Sequence, residues 1–415
     1  MELRIRFGIF FLCLAWTFQA TAETVHFTPA SMNYLGAFRI PVGTQGDGRM
    51  GFANGAFAVH SQRQSFYVVG HAQFQSVAEF NIPALSDSLE LTDLPMAEVA
   101  QPFVRLLRRT PDENPQDLNT ITGLAIINDE LFLNAAQYYD ASASRTHTTF
   151  VLTDPSDLAN GEVRGFYQLA ARHRAAGWIS PVPPGLQNEV GYDYLFGNAS
   201  NLPINGRNSM GPSAYGVRSE DLFDLSTHDL IDTAGMLHYS IANQLHADHY
   251  NNSGENDIWT EVSKAFYGFL VPGTRTYAVF GSSGGHDSGI GYKITQDTGR
   301  VCGGGCPYIA SDVYSHYWLY DLDDLLAVRD GYRQPHSVKP FDYGRLNLPF
   351  NDTHPDGIPN VIIGAHYDTP NDRLYLLLGN ADRLQSRFES APVMLVYSLG
   401  LDKPRPPLSF TLQFH

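Results

Sequence analysis

Five times along the chain, a short apolar strand leads into a small polar or imidazole side chain, in four of the five copies through a glycine. The copies are Phe66-Tyr67-Val68-Val69-Gly70-His71, the degenerate Leu131-Phe132-Leu133-Asn134-Ala135, Tyr194-Leu195-Phe196-Gly197-Asn198, Thr276-Tyr277-Ala278-Val279-Phe280-Gly281-Ser282 and Leu374-Tyr375-Leu376-Leu377-Leu378-Gly379-Asn380. A β-unit repeated at such intervals is typical of a radial array of blades. The sequence therefore predicts an all-β protein with a β-propeller fold.

The residues around each copy predict a four-stranded blade, with the quoted strand in second place. The last copy reaches only its third strand, at 394–400, and the N-terminal segment 34–41 resembles the missing outer strand. Pairing these two ends would close the ring and remove an exposed sheet edge. Five blades are predicted. Six or seven remain alternatives, because segments 227–261 and 330–359 are long enough to contain further strands.

The first residues predict export. Arg4 and Arg6 precede a short apolar run, and Ala20-Thr21-Ala22 supplies small residues for cleavage, which is the pattern of a secretory signal peptide. The predicted organisation is a signal peptide at 1–22 and a single propeller domain at 23–415, in the periplasm or outside the cell. The run is too short for a stable membrane anchor.

Cysteine usage agrees with export. After residue 22 only Cys302 and Cys306 remain, separated by three glycines. In an oxidising compartment a disulfide is the simplest state for such a pair. Two thiolates alone do not make a zinc site, and no histidine or further cysteine follows at zinc-finger spacing. We therefore predict a disulfide that holds one loop.

Composition excludes some partners. The chain has 43 acidic and 27 basic residues and a formal net charge of −16. An acidic surface repels phosphate backbones, so nucleic acid is a poor candidate partner. The same field disfavours polyanionic glycans more weakly, because a local basic patch can override it. The expected ligand is a small molecule or a glycan.

Loops that leave the second strand of each propeller blade meet near the central axis on one face, so the polar residues there are candidates for a binding site. The candidate catalytic residues are His71, Tyr138, Glu261, His286 and Asp382. The candidate substrate-binding residues are Gln73, Gln137, Asn198, Ser283, Asn380 and Arg383. Amides and hydroxyls make directional hydrogen bonds to hydroxyl-rich ligands. Each such residue could equally satisfy the backbone of a turn.

A glycine-rich segment and two short runs after it resemble uncharacterised exported bacterial proteins of β-propeller type. The segment is Gly281-Ser282-Ser283-Gly284-Gly285-His286-Asp287-Ser288-Gly289-Ile290-Gly291-Tyr292-Lys293, and the runs are Cys302-Gly303-Gly304-Gly305-Cys306 and Tyr317-Trp318-Leu319-Tyr320-Asp321. The resemblance covers about a tenth of the chain and implies no activity. Glycines allow close approach of the backbone to a ligand, and His286 can exchange a proton near neutral pH. The segment has no phosphate-binding or nucleophile-elbow pattern.

A second polar segment contains His246-Ala247-Asp248-His249, followed by Glu255, Asp257 and Glu261. Its side chains would suit a zinc or calcium ion, although the spacing matches no standard site. No cofactor is required by the sequence, and a solvated surface loop is the simpler interpretation.

Two classes of function follow. In the first, the protein is a carbohydrate-active enzyme: hydrolysis would need two carboxyl groups, from Glu261, Asp382 and Asp117. β-Elimination on a uronate would need a base and a positive group, from His71, His286, Tyr138 and Arg383. In the second class, the propeller binds or scaffolds without catalysis, and fold alone does not choose between the two. The histidines, tyrosines and glycines of one face favour the enzyme.

Overall fold

The computed structural model describes residues 25–111, 114–140, 144–200 and 209–400. The predicted signal peptide at 1–22 lies outside these residues. Five sheets of four or five strands form the blades, antiparallel except where the short Leu230–Ile231 pairs in parallel with Gln168 and Leu169. Their innermost strands contact one another in a closed ring. The fold is a five-bladed β-propeller, as predicted.

In each blade the strands follow one another from the axis outward. Blade I contains Phe57–His60, Ser65–Val69, Val77–Asn81 and Glu98–Val104. Blade II contains Thr120–Ile127, Glu130–Ala136, His147–Leu152, Val163–Leu169 and the short Leu230–Ile231. Blade III contains Ile179–Pro181, Tyr194–Phe196, Ala214–Val217 and Ala234–Leu237. Blade IV contains Lys264–Leu270, Thr276–Gly284, Val313–Asp321 and Asp342–Arg345, with the two-residue strand Ala199–Ser200 added beside Lys264–Leu270. Blade V contains Ile362–Asp368, Arg373–Asp382, Ala391–Ser398 and Asn33–Arg39.

Helices and turns connect these strands. The α-helices are Pro184–Val190 and Leu322–Arg329; Asp321 caps the second, its Oδ1 accepting the Asp323 N–H at 2.8 Å. Single 3₁₀ turns lie at Pro29–Ser31, Ser61–Arg63, Leu91–Asp93, Leu106–Arg108, Arg172–Arg174, Ser219–Leu222, Pro335–Ser337 and Thr369–Asn371. No helix in the described part of the chain is long and apolar enough to cross a membrane.

The ring closes through the two ends of the chain. Strand Asn33–Arg39 pairs antiparallel with Ala391–Ser398, with Asn33 opposite Ser398 and Arg39 opposite Val393. This pairing confirms the closure predicted from the sequence. The long segments 227–261 and 330–359 do contain strands, but these add outer strands to blades II, III and IV. They form no sixth blade.

Burial explains why the strands are continuous apolar runs. Blades pack face to face, so both faces of a strand such as Ser65–Val69 are covered and every residue in it is buried. Large aromatic side chains fill the spaces between strands and blades; Trp259, Trp318, Tyr277 and Tyr320 are fully buried. Burying one large apolar side chain contributes roughly 1.5–3 kcal/mol. The repeated packing therefore holds each blade against its neighbours.

The inner strands all begin on one face of the ring, which we call the upper face, and end on the lower face. The second strands run back, so their ends return to the upper face. The repeat glycines Gly70, Gly197, Gly281 and Gly379 all lie at this end of the second strand, as predicted. There is no room for a side chain at Gly281, where a Cβ would collide with the backbone carbonyl of Lys264.

Blade IV carries a small hairpin on the upper face, formed by Ile290–Tyr292 and Gly305–Pro307. Cys302, in the loop that connects these strands, forms a disulfide with Cys306 in the second strand, with their Cα atoms 6.4 Å apart. The predicted disulfide is therefore present. It closes a short ring, so its stabilising effect is confined to this hairpin.

Candidate functional site

A cavity of about 290 Å³ lies on the central axis at the upper face. All five inner strands, or the residues that lead into them, contribute to its walls. We call it the axial pocket. Its apolar walls include Phe57, Trp178, Phe266, Tyr267 and Ile363, and its polar groups are Asn54, Thr120, Thr122, Tyr138, Asn198 and Lys264.

A repeated backbone irregularity shapes this pocket. The inner strands of blades II, IV and V each slip in register by one residue near their start, leaving Thr122, Phe266 and Ile363 unpaired. Such β-bulges re-aim a side chain and are frequent beside binding sites. All three unpaired residues line the axial pocket. The bulge is therefore the device that turns these side chains toward the axis.

Two glycine contacts keep the axis narrow. A Cβ on Gly123 would collide with the carbonyl oxygen of Gly177, and a Cβ on Gly364 with that of Gly55. Each pair brings the inner strand of one blade against the chain leading into the next. Close approach of two backbones requires the absence of a side chain at these positions.

Most polar groups of the axial pocket are already engaged with the protein. The Asn54 amide donates to the Ile121 carbonyl at 2.5 Å. The Thr122 hydroxyl donates to the Ala176 carbonyl at 2.6 Å, and the Asn198 amide to the His173 carbonyl at 2.9 Å. These bonds fix the pocket walls. The side-chain oxygens of the two asparagines make no hydrogen bond to other described residues and can accept one from a ligand.

Lys264 is the charged side chain of the axial pocket. It begins the inner strand of blade IV and is exposed to the water of the pocket. Protein atoms nevertheless surround it closely, and this desolvation lowers the pKa of Lys264. The described residues that line the pocket include no aspartate or glutamate.

Two of the predicted site residues, Tyr138 and Asn198, line the axial pocket. Tyr138 is 44% exposed, and its ring packs edge-on against Tyr139 with centroids 4.8 Å apart. The other nine predicted residues lie outside the lining of this pocket. A ligand-binding or catalytic role for each of them stays a prediction.

His71 and Gln73 form a turn above blade I. The backbone N–H of Gln73 donates to Nδ1 of His71 at 3.1 Å, and the imidazole stacks on Phe74 with centroids 4.7 Å apart. Burial lowers the pKa of His71. In blade II, Gln137 donates to Asp117 at 3.0 Å and accepts a hydrogen bond from Arg145 at 2.6 Å.

Ser283 and His286 belong to a buried hydrogen-bonded chain in blade IV. Nδ1 of His286 donates to the Asn256 carbonyl at 2.6 Å, so Nε2 accepts from the Ser283 hydroxyl at 2.7 Å in the neutral ring. Ser283 also bonds to Ser263 at 2.7 Å. Burial lowers the pKa of His286, which favours the neutral form. These contacts hold the glycine-rich segment in place.

The candidates of blade V are paired with other side chains. Asp382 is fully buried, with 0% exposure, and binds Arg39 at 2.7 Å and Gln385 at 2.6 Å. Arg383 pairs with Asp356 at 2.8 Å. The Asn380 side-chain oxygen accepts the Ser390 hydroxyl at 2.9 Å.

Glu261 lies where the chain leads into the inner strand of blade IV. Burial raises its pKa from 4.5 to about 7. In the preceding loop, the Asp248 carboxylate accepts backbone N–H groups from Asn252 at 3.0 Å and Ser253 at 2.8 Å. Within the described residues, no three histidine, cysteine or acidic side chains converge as metal ligands. A calcium or zinc ion in this loop stays a prediction.

Sequence reasoning missed Lys264 and the bulge residues Thr122, Phe266 and Ile363. A signal for part of this set exists in the sequence, because glycines Gly123 and Gly364 directly follow two of the bulge residues. A glycine within a strand pattern indicates a bulge or a close backbone approach. Lys264 has no comparable signal, since a lysine at the start of a strand is an ordinary surface residue.

No family model and no curated protein sequence matches this chain. Its fold is similar to those of several solved glycoside hydrolases. One comes from work on the GH130 family of mannoside phosphorylases, which contains glycoside hydrolases that target β-1,2 mannosidic linkages in Candida mannan. It is 10% identical to this chain, covers 91% of this chain and 97% of its own, and has a TM-score of 0.40.

Two further structures show similar values. An exo-1,5-α-L-arabinanase from a bovine ruminal metagenomic library is 9% identical over 85% of this chain and 94% of its own, with a TM-score of 0.36. A putative glycoside hydrolase from Parabacteroides distasonis is 10% identical over 92% of this chain and 95% of its own, also with a TM-score of 0.36. Such distant similarity transfers no activity to this chain.

Proposed function

We propose that the protein is a carbohydrate-active propeller that binds an acidic sugar residue in its axial pocket and cleaves the chain by β-elimination. The observation that carries the proposal is Lys264, a positive charge without an acidic partner among the described residues that line the pocket. A carboxylate bound beside it would form a charge-assisted hydrogen bond. The negative charge of the whole chain is screened over about 8–10 Å at physiological salt, so Lys264 dominates locally.

The same lining argues against hydrolysis. Glycoside hydrolysis needs two carboxyl groups on either side of the scissile bond. Among the predicted acids, Asp382 is buried against Arg39, and neither Glu261 nor Asp117 is among the residues that line the axial pocket. β-Elimination can proceed without a carboxylate from the enzyme. It needs a base to remove the proton and a positive group to neutralise the carboxylate of the substrate.

The pocket supplies the groups for elimination. Lys264 would bind and neutralise the sugar carboxylate, which acidifies the adjacent C–H. The side-chain oxygens of Asn54 and Asn198 would accept hydrogen bonds from sugar hydroxyls. Tyr138 would act as the base that takes the proton of that C–H. The electron pair then forms the carbon–carbon double bond, the C–O bond to the leaving sugar breaks, and the leaving oxygen takes up the proton from Tyr138. The apolar walls would contact the sugar ring faces.

The experiment is to incubate the mature protein with oligoglucuronates, oligogalacturonates and a neutral glucan, and to measure binding by calorimetry and unsaturated ends by ultraviolet absorbance. We expect binding of an acidic oligomer and the appearance of unsaturated ends. Lys264→Met should weaken binding about tenfold or more, the loss of one charge-assisted contact, whereas Lys264→Arg should retain most of it. Tyr138→Phe should remove turnover and leave binding nearly unchanged. Products with saturated ends would contradict the elimination.

A second candidate function is binding without catalysis. It is favoured by the exposed position of Tyr138 at the rim, because a proton-transfer group works best when it is shielded from water. In that case acidic oligomers would bind in a Lys264-dependent way and remain intact. If none of the acidic oligomers binds, both candidates fail together.

Export belongs to the same proposal. The basic, apolar and small-residue pattern of 1–22 and the disulfide between Cys302 and Cys306 support it. Expression of the full chain in a Gram-negative host, followed by cell fractionation and N-terminal sequencing, tests it. We expect a mature protein outside the cytoplasm that begins near Glu23. A full-length chain retained in the cytoplasm would contradict it.

A further inference from the structure

A second cavity, of about 440 Å³, lies at the opposite end of the axis. We call it the lower pocket. It is formed where the inner strands of blades I, II, III and V end, with Tyr194 of blade III closing one side. The titratable side chains in its lining are His60, Asp129, Tyr194, His366, Tyr367 and Asp368.

Asp368 is a buried carboxylate without a counter-charge. It is 2% exposed. Its two oxygens accept hydrogen bonds from the Ser61 hydroxyl at 2.6 Å and the Asn371 amide at 2.8 Å, and both donors are neutral. Buried charges in proteins are usually paired with an opposite charge, yet no ion pair of the described residues involves Asp368. The wall of the lower pocket therefore has a negative potential.

His366 presents an unpartnered imidazole in the same cavity. It is 9% exposed, and its Nδ1 has no hydrogen-bond partner among the described residues. Burial lowers the pKa of His366 to about 4, so at neutral pH one ring nitrogen is a free acceptor. His60, 7% exposed, lines the cavity beside it. Both imidazoles are therefore suited to accept an N–H donor.

Basic side chains do not compensate these groups. The described residues that line the lower pocket include no lysine or arginine. Arg63 lies near His60, but it pairs with Glu79 at 3.4 Å. Asp129 is exposed at the mouth of the cavity and adds a second negative charge. Anions are therefore disfavoured here, in contrast to the axial pocket.

We infer that the lower pocket binds a small organic cation carrying an ammonium group with N–H donors. The ammonium group lies against Asp368 and donates to the imidazole of His366, and Asp129 attracts it at the mouth. The carbon skeleton packs on Tyr194 and the neighbouring prolines, Pro181 and Pro370. A cavity of this volume exceeds the needs of a bare metal ion, and no three metal-ligating side chains converge within the described residues.

The inference is tested by calorimetry on the mature chain with putrescine, choline and zinc chloride as probes. We expect putrescine to bind, and choline to bind about tenfold more weakly because its quaternary nitrogen has no hydrogen to donate. Asp129→Asn should weaken putrescine binding several-fold. Asp129 has positive φ, a conformation that asparagine tolerates. Asp368→Asn should weaken binding about tenfold or more, provided that its melting temperature shows a folded protein.

The matched control is Lys264→Met at the other end of the axis, which should leave putrescine affinity unchanged. Equal binding by the wild type and the Asp129→Asn and Asp368→Asn variants would overturn the inference. Stoichiometric zinc binding without putrescine binding would also overturn it, and would identify a metal site. Loss of putrescine binding in Lys264→Met would show that the cation binds in the axial pocket and would contradict the inference. The axial proposal stands or falls separately, since its ligand is an anion.

Discussion

The two ends of the propeller axis differ in charge although the same inner strands build both. At the upper end, Lys264 is the charged group, and the described lining contains no carboxylate. At the lower end, Asp368 and Asp129 line the cavity with no basic side chain among the described residues. In blade V the two linings meet between consecutive residues, Ala365 above and His366 below. The fold thus supplies two cavities, and a few side chains decide which ligand each one favours.

The largest effect is expected from a change in the layer that separates the two pockets. Gly364→Val would drive a side chain into the Gly55 carbonyl, so the inner strands of blades V and I would have to move apart. We expect a loss of about 2–5 kcal/mol in the free energy of unfolding and loss of ligand binding at both ends. Chemical denaturation measures the first.

Gly185→Ala is the control for Gly364→Val, because no atom lies within 4 Å of a Cβ at that helical position. It should change stability by less than about 1 kcal/mol, in the stabilising direction. If the Gly364→Val variant unfolded at the same denaturant concentration as the wild type, the prediction would be wrong. The layer between the axial and lower pockets would then not be tightly packed.

The lower end should make the protein sensitive to acid. The pKa of His366 is about 4 in the folded state and 6.5 ordinarily, so protonation favours the unfolded chain. The associated stability is complete above pH 6.5 and is lost as the pH falls toward 4, at about 1.4 kcal/mol per pKa unit. His366→Gln should flatten the fall in unfolding free energy between pH 6.5 and 4.5 by about 1–3 kcal/mol. If the unfolding free energy of His366→Gln fell as steeply with pH as that of the wild type, groups other than His366 would cause the loss of stability in acid.

The upper face should respond to pH in the opposite direction, with a smaller effect. The pKa of Glu261 is raised from 4.5 to about 7, so ionisation favours the unfolded chain and stability is lost as the pH rises from 4.5 through 7. Because Glu261 is partly solvated, we expect Glu261→Gln to stabilise by only about 1 kcal/mol at pH 8 and not at all at pH 4. Glu255→Gln, at an exposed position in the same loop, should change neither value. Equal effects of Glu261→Gln at both pH values would contradict the assignment.

The sequence predicted the architecture because blade packing imposes a pattern that is visible in every copy. Runs such as Leu374 to Leu378 are buried on both faces, and the glycine that follows four of the five runs marks a place with no room for a side chain. The closing strand was also predictable, because an unpaired sheet edge at 394–400 requires a partner.

The site was less predictable, because its residues are selected by backbone geometry and not by their order in the chain. Most of the predicted residues follow the second strands, whereas the axial pocket is lined mainly by the bulged starts of the inner strands. Asp382 resembles a catalytic acid in sequence, and only the fold brings Arg39 to it from the other end of the chain. The lack of a basic partner for Asp368 among the described residues likewise depends on the fold and cannot be predicted from the residues next to it in the sequence.

The closing strand has a mechanical consequence. Asn33 lies opposite Ser398, so a force applied to the two ends of the chain would load the same end of one antiparallel ladder. Its hydrogen bonds would then break one pair after another, and not all together in shear. The buried contact between Arg39 and Asp382, 2.7 Å long, lies toward the far end of that ladder. Under such a force, blade V would be the first blade to open. The contact between Arg39 and Asp382 would be the last contact of its closing strand to break.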